Sequence, residues 1–198
     1  AKYSWVLNNQ KPDAGFFEAS KKEKISEAVA SLIYSRGIKT SAELHHFLQT
    51  NLENLHDPYL LNDMDKAVNR IRRAIENNET ILVYGDYDAD GMTSASIMKE
   101  ALNMMGAEVQ VYLPNRFTDG YGPNESVYKY FIEQQDVSLI ITVDNGVAGH
   151  EAIAYAQNQG VDVVVTDHHS MPADLPCAYA IIHPEHPDAN YPFPYLRS

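Results

Sequence analysis

The first third of the chain has the apolar spacing of amphipathic helices. Apolar residues recur every three or four positions in three stretches, the period of a helix face buried against a core. The first stretch ends before Gly37, a typical residue after a helix, and Thr40 and Glu43 have the spacing of a capping box before the second. The basic residues of the third stretch, Arg70 among them, fall mostly on its other sides. The three predicted apolar stripes are Ile25, Val29, Leu32 and Ile33; Leu44, Phe47 and Leu48; and Met64, Ala67, Val68, Ile71 and Ile75.

From Thr80 onward, short β-branched runs alternate with helical patterns, which is typical of an α/β fold with a mostly parallel sheet flanked by helices. The continuous apolar runs at 139–141 and 163–165 suit strands covered on both faces. We therefore expect a small helical amino-terminal extension, residues 1–79, and an α/β core, residues 80–198. The predicted strands are Ile81–Tyr84, Glu108–Leu113, Leu139–Val143 and Val161–Thr166, and the predicted helices between them span 92–105, 124–135 and 149–159.

Acidic and imidazole side chains directly follow three of these strands. Asp86, Asp88 and Asp90 alternate after the first strand, Asp144 follows the third, and an Asp-His-His run at 167–169 follows the fourth. Parallel sheets bind ligands beyond the carboxyl ends of their strands, so we expect these groups to converge. One acidic turn could be a solvated cap, but three in such positions favour a site.

The types of side chain indicate the chemistry of that site. Carboxylates with imidazoles and no thiolate favour Mn²⁺, Mg²⁺ or Zn²⁺ over a structural zinc site. Two such ions, bridged by one carboxylate, would activate water and brace a phosphoryl group during in-line attack. The pattern predicts a metal-dependent hydrolase of phosphate esters.

Composition limits the partners and the compartment. The chain has 198 residues, with 15 Lys+Arg and 27 Asp+Glu, and a formal net charge of −12. This balance argues against binding of nucleic acid or an anionic membrane through overall positive charge. The single cysteine, Cys177, excludes an internal disulfide, and no apolar run approaches the roughly 20 residues of a membrane span. We expect a cytoplasmic protein with no membrane association.

Taken together, the motifs resemble those of the DHH phosphoesterase family. Residues 167–169 resemble the family signature, residues 85–94 resemble its first motif in the form found in RecJ-type exonucleases, and residues 144–146 are similar to its second. The resemblance covers roughly residues 80–198. It implies 5′-to-3′ hydrolysis of single-stranded DNA with a 5′ end, in recombination and DNA repair. Single-strand-binding protein and a helicase are then candidate partners.

Carried over to this chain, the resemblance implies a centre of Mn²⁺ or Mg²⁺, with two ions and Asp144 as their bridge. His169 is the expected catalytic residue facing the scissile phosphate, and Asp167 is expected to orient a neighbouring imidazole from behind. The expected metal ligands are Asp86, Asp88, Asp90, Asp144 and His168.

Two further segments carry candidate chemistry. In the loop after the second strand, Arg116 offers a guanidinium for phosphate, and Tyr121, like Phe117, offers a ring on which a base can stack. The alternative is an ordinary loop whose aromatic rings pack on the domain. The histidines of residues 183–188 lie among prolines, which indicates an irregular loop rather than a second metal site.

Two other functions stay open. One is a DHH phosphodiesterase acting on short oligonucleotides or cyclic dinucleotides, although the helices before Thr80 favour the exonuclease. The other is a non-catalytic nucleic-acid or replication scaffold, which would be expected to have lost ligands that this chain retains. The family carries a further acidic motif and further domains beyond the matched segment, and these 198 residues do not contain them. We therefore expect a core truncated at its carboxyl end that binds Mn²⁺ weakly and has little nuclease activity alone.

Overall fold

The computed structural model describes residues 4, 10–49, 51, 53, 55–193 and 196. Packing divides the chain into two compact units, Ala1–His56 and Asp57–Ser198. The third predicted helix, assigned above to the extension, therefore groups with the sheet. A boundary at residue 80 stays a prediction about the limits of the catalytic core.

The described part of the first unit contains three short helices: α1 Ala14–Lys22, α2 Glu27–Ser35 and α3 Ser41–Leu48. Each helix begins after a residue whose side chain accepts a hydrogen bond from a backbone N–H of the first turn. These residues are Asp13, Ser26 and Thr40 respectively. The predicted capping box is present, because the Glu43 carboxylate also accepts from the Thr40 N–H. These caps satisfy donors that helices of eight or nine residues would otherwise leave exposed.

The core of this unit differs from the predicted stripes. Phe16, Ala30 and Leu44 form its buried centre, whereas Val29, Leu32 and Phe47 are exposed, contrary to prediction. Helix α1 was not predicted, and it supplies the largest buried side chain of this core. Ile25, Ile33 and Leu48 of the predicted stripes pack against this centre while partly buried, so the stripes are correct in part.

The second unit confirms the predicted α/β fold with a parallel sheet. A 3₁₀ turn, Pro58–Leu60, precedes the other elements. They are α4 Met64–Glu76, β1 Thr80–Tyr84, α5 Ala89–Met104, β2 Glu108–Tyr112, α6 Glu125–Gln135, β3 Val137–Val143, α7 His150–Asn158, β4 Asp162–Thr166 and β5 Ala180–Ile182. The strands lie in the order β2-β1-β3-β4-β5, and all the pairings are parallel. Strand β5, with only three residues, was not predicted.

Helices cover both faces of this sheet. One core joins inward side chains of β1, β3 and β4 to α6 and α7, through residues such as Tyr128 and Ile153. The other joins the opposite faces of these strands to α4 and α5, through residues such as Ala67 and Leu102. Burial on both faces explains the continuous apolar runs in the sequence. In the described part of the chain, no helix is long and apolar enough to cross a membrane.

The order of the strands identifies the edge at which a ligand binds. From β1 the chain crosses to β2 on one side, and it then returns to β3 on the other side of β1. The crossover connections diverge between β1 and β3, which leaves a crevice at the carboxyl ends of these two strands. The predicted acidic residues follow these strands, so the topology brings them together.

Arg70 ties α4 to the opposite, amino-terminal side of the sheet. Its side chain is only 5% exposed, although Arg70 lies outside the predicted apolar stripe of this helix. The Nε atom donates to Asp162 Oδ2 at 2.5 Å, and Nη2 donates to the Ser138 carbonyl at 3.1 Å and lies 2.7 Å from Glu79 Oε2. The periodicity of apolar residues predicts that an arginine faces solvent, because it contains no information on partners that are distant in the chain.

We expect Arg70→Met to lower the free energy of unfolding by about 2–3 kcal/mol, because it removes the buried cation beside Glu79 and leaves Asp162 with only the exposed Arg73, at 3.5 Å. Arg73→Met is the matched control. Its side chain is 56% exposed, and we expect a change within about 0.5 kcal/mol. Urea unfolding followed by circular dichroism measures both variants. Equal losses would show that the buried ion pairs do not stabilise the fold.

Candidate metal centre

A close helix–strand contact brings the first two acidic residues together. Asp88 is the N-cap of α5, and its Oδ1 accepts the Gly91 N–H at 3.1 Å. A Cβ atom on Gly91 would lie 2.5 Å from the Asp86 nitrogen and 2.6 Å from its Cα. Only glycine therefore allows the first turn of α5 to pack on the Asp86 backbone. The close approach of α5 to the Asp86 backbone thus requires glycine at position 91.

Asp144 occupies the crevice at the end of β3. Its backbone has φ 63°, in the left-handed region, and its N–H donates to the Thr166 carbonyl at 3.0 Å. The following Asn145 donates from Nδ2 to the carbonyls of Val143, at 3.0 Å, and Tyr84, at 3.4 Å. These bonds tie the turn to β1, β3 and β4. They hold the backbone of Asp144 in a conformation that a non-glycine residue adopts only at a cost.

Asp167 is an anchoring carboxylate at the end of β4. Its Oδ1 accepts the N–H groups of His168, at 2.7 Å, and His169, at 3.0 Å, and its Oδ2 accepts the Val147 N–H at 3.0 Å. Burial acts to raise the pKa of Asp167, but the hydrogen bonds from Val147 and His169 outweigh it and hold that pKa below its ordinary value. Asp167 thus remains charged, with Oδ1 facing the two histidines and Oδ2 facing Val147.

The two imidazoles project from this turn as a stacked pair. Their ring centres are 4.7 Å apart and the planes are 17° from parallel. His168 Nδ1 lies 3.2 Å from Asp144 Oδ1, and His169 Nδ1 lies 2.8 Å from Asp167 Oδ1. Because a charged carboxylate only accepts, His169 carries its proton on Nδ1. Its Nε2 is then the nitrogen available to a metal ion or a substrate.

The carboxylates and imidazoles form two groups that could each hold a cation. One contains Asp86, Asp88 and Asp144, the other contains Asp144, His168 and His169, and the potential ligand atoms within each lie within 4.8 Å of one another. Asp144 belongs to both groups. Oxygen and imidazole ligands without thiolate fit Mn²⁺ or Mg²⁺, and a shared carboxylate fits a pair of adjacent ions.

Electrostatics also favour a cation here. Asp86 is only 2% exposed, and burial, with a smaller contribution from the charge of Asp88, raises its pKa despite the hydrogen bond from the Tyr87 N–H. Buried carboxylates that are close together repel one another. A divalent cation would offset this repulsion, so the donors present fit the metals named above.

The structure separates Asp90 from the other predicted ligands. Asp90 lies within α5 and is exposed, and it belongs to neither group. His169, predicted to face the phosphate, offers a potential ligand atom to the second group, together with Asp144 and His168. The alternation of three aspartates does not reveal that the helix begins at Ala89, which places Asp90 in the first turn of α5 and not in the loop after β1.

The predicted substrate residues lie on the loop beside this centre. The Tyr121 ring meets the His169 ring edge to face, with centres 5.6 Å apart. Burial, and then the charges of Asp167 and Asp86, raise the pKa of Tyr121 far above its ordinary value, so its hydroxyl stays protonated. The Arg116 guanidinium lies 5.3 Å from the centre of the Tyr87 ring, and Phe117 is 94% exposed.

A cavity of about 280 Å³ opens next to the exposed side of His169. Tyr121, Pro123, Gly146 and Gly149 are among the residues that line it. Both glycines are close-packed, because a Cβ atom on Gly146 would lie 2.5 Å from Thr142 Oγ1 and one on Gly149 would lie 2.5 Å from Pro123 Cγ. The cavity is large enough for a sugar–phosphate unit and lies directly beside the metal-binding groups.

Three further residues support this centre, of which Thr142 and His183 were not predicted. The Asn145 amide joins β1 to β3. The Thr142 hydroxyl donates to the Asn145 carbonyl at 2.7 Å, and His183 Nε2 lies 2.8 Å from the His169 carbonyl. The Asp-Asn-Gly sequence at 144–146 indicates a turn at Asn145. Nothing local in the sequence links the other two to the site.

Sequence comparison places these motifs among known proteins. The profile of the DHH family, N-terminal domain, matches residues 80–191. The chain is 41% identical over 197 residues to the single-stranded-DNA-specific exonuclease RecJ of Bacillus subtilis, covering 99% of this chain and 25% of that protein. It is 37% identical over 163 residues to RecJ of Escherichia coli, covering 81% and 27% respectively. The chain spans about a quarter of the length of these relatives.

Solved structures agree with this relationship. A crystal structure of exonuclease RecJ bound to manganese aligns with a TM-score of 0.59 and 32% identity, covering 65% of this chain and 33% of that one. RecJ of Thermus thermophilus in complex with Mn²⁺ aligns with a TM-score of 0.63 and 25% identity, covering 91% and 25% respectively. With the family profile matching more than half of its residues, this chain belongs to the DHH family.

Proposed function

We propose that this chain carries the metal centre of a 5′-to-3′ single-stranded-DNA exonuclease that uses Mn²⁺ or Mg²⁺. The observation that carries the proposal is the pair of ligand groups sharing Asp144. The identity to RecJ proteins supports the choice of substrate. The proposal includes roles in DNA repair and recombination, a cytoplasmic location, and contacts with single-strand-binding protein or a helicase.

The residues divide the work as follows in this proposal. Asp86 and Asp88 would hold one ion, His168 would hold the other, and Asp144, which belongs to both groups, would be a ligand for each. Bound divalent ions supply activation of water and neutralisation of charge on the phosphoryl group. Asp167 fixes the proton of His169 on Nδ1, so Nε2 is the nitrogen that would contact the scissile group or move a proton to the leaving oxygen.

The loop residues orient the DNA strand. Tyr121 retains its proton and can donate a hydrogen bond to a phosphate oxygen beside His169. Arg116 provides a guanidinium that matches phosphate, and the exposed Phe117 ring can stack on a base. These local contacts allow a chain of net charge −12 to bind a polyanion.

We expect the chain to bind two Mn²⁺ ions, and Asp144→Ala to lose both, because Asp144 belongs to both groups. Asp88→Ala and His168→Ala should each lose one. Titration calorimetry, with manganese electron paramagnetic resonance to count free ions, measures the stoichiometry. Asp90→Asn should bind as the wild type does, and loss of an ion in this variant would return Asp90 to the ligand set. Equal binding by the wild type and Asp144→Ala would favour a non-catalytic scaffold.

Activity is tested in a chimera in which these 198 residues replace the segment that they match in B. subtilis RecJ. We expect the chimera to release mononucleotides from long 5′-phosphorylated single strands, and to leave duplex DNA intact. Asp144→Ala in the chimera should reduce the rate by at least about 1,000-fold, because it removes several kcal/mol of metal-dependent stabilisation. Faster cleavage of dinucleotides than of long strands would favour the oligonucleotide phosphodiesterase instead.

In the same chimera, Arg116→Ala should raise the KM for single-stranded DNA about 3- to 10-fold and leave kcat nearly unchanged. It should also reduce the slope of log affinity against log salt by about 1, as loss of one phosphate contact predicts. The control is Lys129→Ala, an exposed cation on α6 paired with Glu133. If both variants behaved alike, Arg116 would contribute only general positive charge.

A further inference from the structure

His183 lies outside the family motifs, yet it reaches the metal centre through the backbone. It follows β5 directly and is fully buried. Its Nε2 atom lies 2.8 Å from the carbonyl oxygen of His169, and its Nδ1 atom lies 3.0 Å from the backbone nitrogen of Glu185. The ring thus connects the loop after β5 to the turn after β4.

The two partners fix the state of this ring. A backbone N–H can only donate, so Nδ1 accepts the Glu185 N–H and carries no proton. A carbonyl can only accept, so the proton lies on Nε2 and is donated to His169. The neutral tautomer with Nε2–H is the one state that satisfies both bonds. A buried histidine in this state is a fixed donor aimed at one carbonyl.

This bond completes the support of the turn after β4 that carries His168 and His169, the two-histidine turn. Asp167 accepts the N–H groups of His168 and His169 and the Nδ1–H of His169. His183 holds the carbonyl on the other side of the same residue. The backbone of His169 is therefore held from both sides, and the adjacent His168 ring lies against Asp144. A displacement of this turn would move both imidazoles relative to the shared carboxylate.

His186 offers an internal comparison. It is also buried, and its Nδ1 accepts a backbone N–H two residues ahead, from Asp188 at 3.1 Å. It therefore caps the same loop in the same way. The hydrogen bond to the two-histidine turn distinguishes His183 from this neighbour.

We propose that His183 is a positioning residue of the metal centre, which holds the His169 carbonyl so that the rings of His168 and His169 stay within reach of Asp144. The inference rests on the proposed function, because it assumes that these rings serve a divalent ion. His183 touches neither an ion nor the substrate in this role. It acts through the backbone of the turn.

The test measures Mn²⁺ binding to the whole chain in four variants. His183→Leu should weaken Mn²⁺ binding by on the order of 10- to 100-fold, the usual effect of removing a group that supports a metal ligand. His183→Asn and His183→Gln, whose amides can donate to the carbonyl, should stay within about threefold of the wild type, or half a log unit in the binding constant. His186→Leu should lower the melting temperature without weakening Mn²⁺ binding.

A second measurement requires no metal. Nitrogen-15 NMR of the histidine rings near neutral pH should show His183 protonated on Nε2 only. In His183→Leu, amide exchange should accelerate at His169 and Ser170 and stay unchanged in α6. This readout also decides the matter if His183→Leu proves too unstable for titration, because a wild-type His183 ring protonated on Nδ1 would overturn the proposal.

The outcomes separate the two proposals. If the wild type binds no Mn²⁺, the proposed function fails whatever His183 does. If the wild type binds and His183→Leu binds equally well, the positioning role is wrong. If His186→Leu weakens binding as much as His183→Leu does, the effect comes from loop stability, and the positioning role is again wrong.

Discussion

The centre depends on the backbone of Asp144, which turns into the left-handed region at the point where the connections of the sheet diverge. Such a conformation persists in a non-glycine residue only where the surroundings determine it. Here the Thr166 carbonyl, the Asn145 amide and the Thr142 hydroxyl supply those constraints. They draw on β1, β3 and β4 together. The sheet must therefore be assembled before the shared carboxylate takes its place.

Two kinds of aspartate serve this centre, and they differ in what their oxygens face. Both oxygens of Asp167 accept bonds from the turns around them, so this carboxylate is used to hold backbone in place. Asp86, Asp88 and Asp144 instead bring oxygens to within ligand distance of one another. The same residue type thus anchors at one strand end and is available for coordination at two others. The middle carboxylate, Asp88, does both, because it also caps α5.

The sequence was sufficient for the parts of this arrangement that repeat along the chain. Short β-branched runs identified β1, β3 and β4, and the residues after them were found at one edge, because parallel strands end together. The sequence was not sufficient where one contact between residues far apart in the chain determines the structure. Arg70 is buried against Asp162, a partner that lies 92 positions away in the sequence. Strand β5 forms by pairing with β4. Asp90 was grouped with its neighbours because alternation does not locate the first turn of a helix.

The supporting bonds explain why the centre can be organised before an ion binds. The N–H groups that Asp167 accepts and the carbonyl to which His183 donates belong to the protein itself, so these bonds need no metal. The carboxylates that would coordinate are different, because bringing Asp86 and Asp144 out of water without a cation costs free energy. Folding therefore stores a local electrostatic penalty at the crevice between β1 and β3. An ion that binds the folded chain releases that penalty, so metal affinity and the stability of the sheet are linked through the same few carboxylates.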